Sequence, residues 1–367
     1  MKARKGGLRK YIALEVFRRM RKNEVKLHEL RVLFWECTLR CNASCRHCGS
    51  DCRASATHPD MPAEDFLRVI DEITPCVNPH RVMVVFTGGE ALLRTDIEAC
   101  GRELCRRGYP WGIVSNGLLF GERLDGLLAA GLHSATISLD GFEEAHNWLR
   151  GRPDSFRKAL ESVRLLTATD GLAWDVVTCV HRKNFDDLPS FRRFLTDMGV
   201  TSWRIFTVFP AGRAADLPEL QLDNGQFTQL MDFIRDCRRE GLHVSYGCEG
   251  FLGDYELEVR DYFYHCRAGV HTASILADGS VTGCPSIRAN FHQGNIYRDR
   301  FMDIWNERFQ PFRDRAWTQK GQCADCTLYR YCEGNGMHLY DDRAQLLVCH
   351  HKRILRAPGK VAINDFC

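Results

Sequence analysis

Apolar positions along the chain switch repeatedly between two periods. LRVLFWECT (30–38) is a nearly continuous apolar run of strand length that leads straight into a polar loop. PAEDFLRVIDEI (62–73) repeats its apolar residues at helical spacing, and RVMVVFTGG (81–89) reads as a strand ending in glycines. The alternation continues with a helix in DIEACGRELCRRG (96–108), a strand in WGIVSNG (111–117), a short helix in ERLDGLLAAG (122–131) and a strand in SATISLDG (134–141). Two further helix–strand pairs follow, SFRKALESVRLLTATDG with WDVVTCV and DDLPSFRRFLTDMG with TSWRIFTVFP. Apolar strands alternating with helices predict a parallel sheet covered by helices. Six such strands fall short of a complete eight-stranded barrel. They fit an α/β fold with a partial (β/α)6 TIM-like barrel, with a doubly wound sheet as the competing arrangement. In both folds the chemistry sits at the C-terminal ends of strands, where this chain places its glycines and polar residues.

Beyond a predicted helix at 223–240 the texture changes to short segments, turns such as ADGS (277–280) and closely spaced cysteines. A core that thin gains folding free energy from bound metal. The expected division is a basic helical segment at 1–29, the partial barrel at 30–245 and a small cysteine-rich domain at 246–367, a size that 367 residues with 44% hydrophobic content support. The first 26 residues carry ten Lys or Arg against two Glu, and Tyr11, Ile12, Leu14, Val16, Phe17 and Met20 fit part of a helical face. A helix docked on the catalytic domain is the expectation there, ahead of a surface for a membrane, a leader peptide or RNA. Net charge is only +3 and no basic stripe occurs elsewhere, so nucleic acid is not an expected partner. No secretory h-region or spanning apolar run is present, which predicts a cytoplasmic protein without a transmembrane segment.

Eighteen cysteines in a reducing compartment point to metal or cluster ligation. Cys76, Cys100, Cys105, Cys179 and Cys237 are scattered and read as ordinary packing or surface thiols. CNASCRHC brings Cys41, Cys45 and Cys48 into one loop with spacing C-x3-C-x2-C, one thiolate short of a closed tetrahedral zinc site. Either a residue such as Cys37, Cys52 or His47 completes a zinc shell, or three thiolates hold three irons of a cluster and leave the fourth open. Spacing alone does not choose.

The surrounding motifs resemble the radical S-adenosylmethionine (SAM) superfamily: the three-cysteine loop after the first strand, TGGEALL (87–93) after the second, SNG (115–117) after the third and SLDG (138–141) after the fourth. The resemblance implies that Cys41, Cys45 and Cys48 bind a [4Fe-4S] cluster whose open iron takes SAM. It implies that Gly88, Gly89 and Glu90 lie against the methionine amino group. Ser115, Asn116, Ser138 and Asp140 match positions near the SAM carboxylate, ribose or adenine. His47 replaces an aromatic residue common in the family and is expected to pack near adenine or cluster. Cys37 and Cys52 are expected to be inert. Arg204 is a candidate for the SAM or substrate carboxylate, with a structural ion pair as the alternative.

The C-terminal cysteines resemble the SPASM extension. Cys266, Gly279 and Cys284 match its first half, and the resemblance assigns Cys323, Cys326, Cys332 and Cys349 to a fully ligated auxiliary [4Fe-4S] cluster. Zinc is the alternative reading of such a set. Gly336 stands where the family has a further cysteine, so Cys266 and Cys284 need help. Cys248 is the expected third ligand of that second auxiliary site, with Cys367 a candidate fourth. The implied enzyme generates a 5'-deoxyadenosyl radical, draws electrons from a flavodoxin or ferredoxin and modifies a peptide or protein side chain, recruited by a separate leader-binding protein or the basic helix. The alternatives are oxidation or rearrangement of a sugar or cofactor precursor, and a non-catalytic cluster scaffold.

Overall fold

The computed structural model describes residues 3–56, 58–247, 249–287 and 289–358. All six expected strands form: β1 (Val32–Thr38), β2 (Met83–Gly88), β3 (Trp111–Ser115), β4 (Leu132–Ser138), β5 (Ala173–Val180) and β6 (Trp203–Thr207) lie parallel and in chain order. The basic segment is helix α1 (Ala3–Leu27). Helices α2 (Ala63–Ile73), α3 (Ile97–Arg106), α4 (Phe120–Ala129), α5 (Glu143–Arg150), α6 (Ser155–Thr167), α7 (Arg182–Phe185) and α8 (Leu188–Asp197) connect the strands, and α9 (Asn224–Arg239) follows β6.

Four more strands extend this sheet. β7 (Val244–Tyr246) pairs parallel with β6 on one edge, in GLHVSYG, which lacks a strand pattern long enough to read from sequence. On the opposite edge β8 (Thr272–Ile275) pairs parallel with β1, and β9 (Ser280–Thr282) and β10 (Gly294–Asn295) continue antiparallel. The order is β10-β9-β8-β1-β2-β3-β4-β5-β6-β7, an open sheet. The cysteine-rich segment therefore contributes backbone hydrogen bonds to the first barrel strand.

Strand alternation separates two faces. On β5, Val176 and Val180 join the core under the helices, whereas Asp175, Val177 and Cys179 on the other face stay partly accessible. Trp35 of β1 stacks on Phe66 of α2 with ring centroids 4.2 Å apart, and both are fully buried. Each such aromatic contributes about 1.5–3 kcal/mol by burial. The half-open inner face leads upward to the strand ends.

Helix α1 docks, but on the C-terminal segment. The buried Arg21 donates to the carbonyls of Tyr331 (2.7 Å) and Arg330 (3.1 Å), and Tyr331 donates its hydroxyl to Glu15. The contact is one of polar complementarity: the Arg21 guanidinium satisfies carbonyls of the helix Tyr329–Cys332 and pairs with Glu333 just beyond it. The opposite face leaves Leu8, Ile12, Val16 and Met20 exposed at four-residue spacing. Among the described residues, no helix is long and apolar enough to cross a membrane.

Candidate functional site

Strand β1 delivers the chain into the three-cysteine loop, and backbone hydrogen bonds from separate segments clamp that loop. Cys41 N–H donates to Arg53 O (2.7 Å), Ser44 N–H to Arg150 O (3.1 Å) and Arg46 N–H to Leu149 O (2.8 Å), while Cys48 O accepts from Arg213 N–H (3.1 Å). Gly88 and Gly89 run alongside. A Cβ at Gly88 would lie 2.2 Å from Thr38 O, and one at Gly89 would lie 2.1 Å from Arg40 O. Gly88 also has φ +127°, where L side chains are strained. These glycines are thus required by backbone approach to the loop.

The sulfurs of this loop receive donors. Asn116 Nδ2 lies 3.8 Å from Cys41 Sγ, and Arg150 Nη1 lies 3.7 Å from Cys45 Sγ. Burial pushes the Cys41 thiol up to about 11 and raises Cys45 as well. A hydrogen bond from Cys52 draws Cys48 down to about 5, with burial opposing. A bound cation would reverse the burial penalty, because metal coordination favours thiolate over thiol. Three soft sulfur donors with N–H groups aimed at them fit an iron–sulfur cluster. Cys37, buried and bonded to Thr87 O (3.3 Å), packs in the core. Cys52 is more involved than sequence suggested, since its thiol contacts Cys48.

Glu90 is completely buried and its oxygens already accept three hydrogen bonds: from Leu92 N–H (3.2 Å), Ser115 Oγ (3.0 Å) and Asn116 N–H (2.8 Å). It ties the end of β2 to the end of β3. Asn116 completes the link to the loop by donating to Asn42 Oδ1 at 2.8 Å. Ser138 ends β4 on its accessible face. Two residues on, Asp140 is buried and accepts from Arg150 Nε (2.6 Å) and from Cys179 N–H (2.9 Å). Burial opposes its charge, yet Arg150 overrides that and holds the carboxyl far below the usual range. His146 accepts from Asp140 N–H (3.0 Å) through Nδ1 and reaches Ser155 Oγ (2.9 Å) through Nε2.

Arg150 and His146 are the residues sequence reasoning missed. Both lie on α5, in a segment left without an element between SLDG and the next helix. The available signal was GFEEAHNWLRG: two acidic residues in a first turn, an arginine in the last, and Gly151 as a left-handed stop (φ +64°). Arg204, by contrast, pairs with Asp175 (2.9 Å) and Thr136 (3.2 Å) on the inner face of the sheet. His47 sits among Asp140, His181, Arg150 and Arg213, and burial, reinforced by Arg150, lowers it to about 3. Beside the loop, Trp148 carries Arg46 and Lys183 on its ring, each 4.8 Å from the centroid.

In the C-terminal segment, Cys323, Cys326, Cys332 and Cys349 line one cavity of ≈ 410 Å³. Burial raises the Cys323 and Cys332 thiols, and the neighbouring cysteines, Cys349 first among them, push both in the same direction. Cys349 is anchored to the barrel rim: the adjacent His350 stands 3.5 Å from the buried Glu249, which accepts from Thr207 N–H (2.9 Å) at the end of β6. Cys266 lines a different space of only ≈ 10 Å³, shared with His265 and Arg315. That holds one water or ion. At Gly336 an added Cβ would stand 2.6 Å from the His338 ring, so histidine fills the place of the missing thiol. Cys248 and Cys367, the expected helpers, lie outside the described residues.

The family model described as Radical SAM superfamily matches residues 35–195, and that of the SPASM iron–sulfur cluster-binding domain matches 266–327. An AdoMet-dependent heme synthase of Oleidesulfovibrio alaskensis is 25% identical over 324 residues, 83% of this chain and 82% of that protein. The mycofactocin maturase MftC of Mycolicibacterium smegmatis is 29% identical over 324 residues, covering 83% and 77%. Among solved structures, Streptococcus suis SuiB bound to S-adenosylmethionine shares the fold, with a TM-score of 0.65 at 16% identity over 84% of this chain and 73% of that one.

Proposed function

This chain belongs to the radical SAM superfamily and carries a SPASM domain, and from that premise we propose that it oxidatively modifies a peptide or protein side chain. It is a radical SAM enzyme with a SAM-binding [4Fe-4S] cluster and auxiliary iron–sulfur ligation. When bound, cluster and SAM supply a 5'-deoxyadenosyl radical able to take hydrogen from an unactivated carbon. The observation that carries the oxidative reading is the four-cysteine cavity: Cys323, Cys326, Cys332 and Cys349 form a complete thiolate set, suited to electron transfer.

The chain's own residues supply position and shielding. Cys41, Cys45 and Cys48 would hold the cluster, and Asn116 and Arg150 donate to the Cys41 and Cys45 sulfurs. Gly88 and Gly89 let the three-cysteine loop pack directly on the end of β2, and Glu90 braces Ser115 and Asn116 beside it. Asp140, fixed by Arg150, orients the end of β4 where Ser138 faces the inner side. Trp148 with Arg46 and Lys183 offers a flat face and two cations to a substrate carboxylate.

A second reading, a carboxylate-bearing tetrapyrrole, is favoured by the heme synthase relative, which matches across most of both chains. We place the protein in the cytoplasm, where a flavodoxin or ferredoxin supplies electrons. The test is anaerobic reconstitution, dithionite and SAM, with 5'-deoxyadenosine measured. One arm adds any short precursor peptide that genome inspection finds encoded beside this gene, and another adds iron coproporphyrin III. A mass change confined to the peptide supports the leading reading; turnover of the porphyrin alone replaces it with the second. No 5'-deoxyadenosine with reduced clusters present would reduce the chain to a scaffold.

A further inference from the structure

We propose that Glu24, His265 and His271 form a binding site for a single divalent transition-metal ion, with Zn²⁺ the best match, that pins α1 and the C-terminal segment to the base of the sheet. The side chains come from two distant parts of the chain, Glu24 from α1 and His265 and His271 from the segment that leads into β8. Their ligand atoms all lie within 4.8 Å of one another. Glu24 Oε2 stands 3.6 Å from His265 Nε2 and 3.5 Å from His271 Nε2, too far for good hydrogen bonds.

A tetrahedral ion with bonds of about 2.0–2.1 Å sets its ligands about 3.3–3.4 Å apart, close to these separations. Octahedral coordination at the same bond lengths would bring adjacent ligands to about 3.0 Å, a poorer match. The two imidazoles are buried, 7% and 4% exposed, and neither Nε2 has a hydrogen-bond partner among the described residues. Two buried imidazole nitrogens without hydrogen-bond partners beside one carboxylate are what a cation satisfies.

The surroundings support ligation. His271 Nδ1 is 3.1 Å from Glu29 O, so its N–H donates there and its Nε2 lone pair points to Glu24. Such a backbone partner is the usual means of orienting a metal-bound histidine. The neighbouring cation Arg21 is neutralised by Glu333 at 2.5 Å. The ≈ 10 Å³ cavity beside His265 has room for one water as fourth ligand.

Position in the fold decides the role. His271 O accepts from Arg31 N–H (2.9 Å) and Val32 N–H (3.0 Å), which places it at the start of β1 and β8. The three-cysteine loop leaves the other end of β1, a full strand length away. A site at the N-terminal ends of parallel strands serves stability, since the chemistry of these folds is at the C-terminal ends. This ion would be structural.

The experiment uses the reconstituted, cluster-loaded enzyme titrated with Zn²⁺ alone. Elemental analysis should find about one zinc per chain beside the cluster iron, and X-ray absorption should show nitrogen and oxygen neighbours near 2.0–2.1 Å with no sulfur near 2.3 Å. Glu24→Gln and His271→Ala should each weaken zinc binding about 100-fold or more, leave iron content unchanged and remove the zinc-dependent rise in Tm. If His271→Ala loses iron as well, it has misfolded and Glu24→Gln decides. Failure of the wild type to take up zinc overturns the proposal. So does zinc with a sulfur shell that both variants retain and Cys266→Ser/Cys284→Ser loses.

Discussion

Asp140 keeps its charge in a fully buried place because Arg150 stands 2.6 Å away and the Cys179 amide donates to its second oxygen. Removing the cation leaves that charge uncompensated. Arg150→Ala should cost about 3–5 kcal/mol and lower Tm clearly, whereas Arg150→Lys, keeping the charge but losing the fork, should fall between. Anaerobic thermal unfolding checks this, and equal Tm for both variants would contradict it. Asp140 was legible in SLDG because a strand-end motif is contiguous. Its partner was not, since it stands ten residues on, at the far end of a short helix. Likewise Glu90 was visible, but not that its oxygens are occupied by β3.

Within the C-terminal segment, the spacing of Cys323, Cys326, Cys332 and Cys349 foretold the set that lines one cavity. Cys349→Ser should remove about four irons per chain, while 5'-deoxyadenosine formation without substrate persists. Iron analysis with the SAM cleavage assay tests both halves, and loss of all cleavage would tie the two sites together. Gly336 behaves differently. Its backbone is extended (φ −71°), so geometry permits a side chain; the His338 ring at 2.6 Å blocks one and Tyr264 Oη crowds it at 3.2 Å. Gly336→Cys alone should therefore add no iron and lower Tm, and His338→Ala in the same chain should recover most of the lost Tm. A sequence shows the missing cysteine; it does not show what fills the gap.

Across the whole molecule, buried histidines make stability depend on pH. Burial first, with Arg150 also opposing protonation and Asp140 favouring it, holds His146 at about 4. Burial likewise holds His181 at about 4, with Lys183 opposing protonation and Asp140 favouring it. The unfolded chain protonates near 6.5. Both folded values are depressed, so this stability is fully present above about 6.5 and is lost as pH falls toward 4, up to about 2 kcal/mol per histidine at pH 5. Tm should drop between pH 7 and pH 5, and an unchanged Tm over that range would contradict the assignment.

The sequence by itself determined the six parallel strands and the loop that carries Cys41, Cys45 and Cys48, because hydrophobic period, glycine stops and cysteine spacing are encoded in contiguous residues. Only the tertiary structure decided that β8 pairs with β1, that Arg150 meets Asp140 and Cys45, that His338 occupies the space at Gly336, and that Glu24 faces His265 and His271. Short strands and isolated polar side chains have no period to read. Their partners are chosen by long-range hydrogen bonding and charge compensation, which exist only once distant segments are packed together.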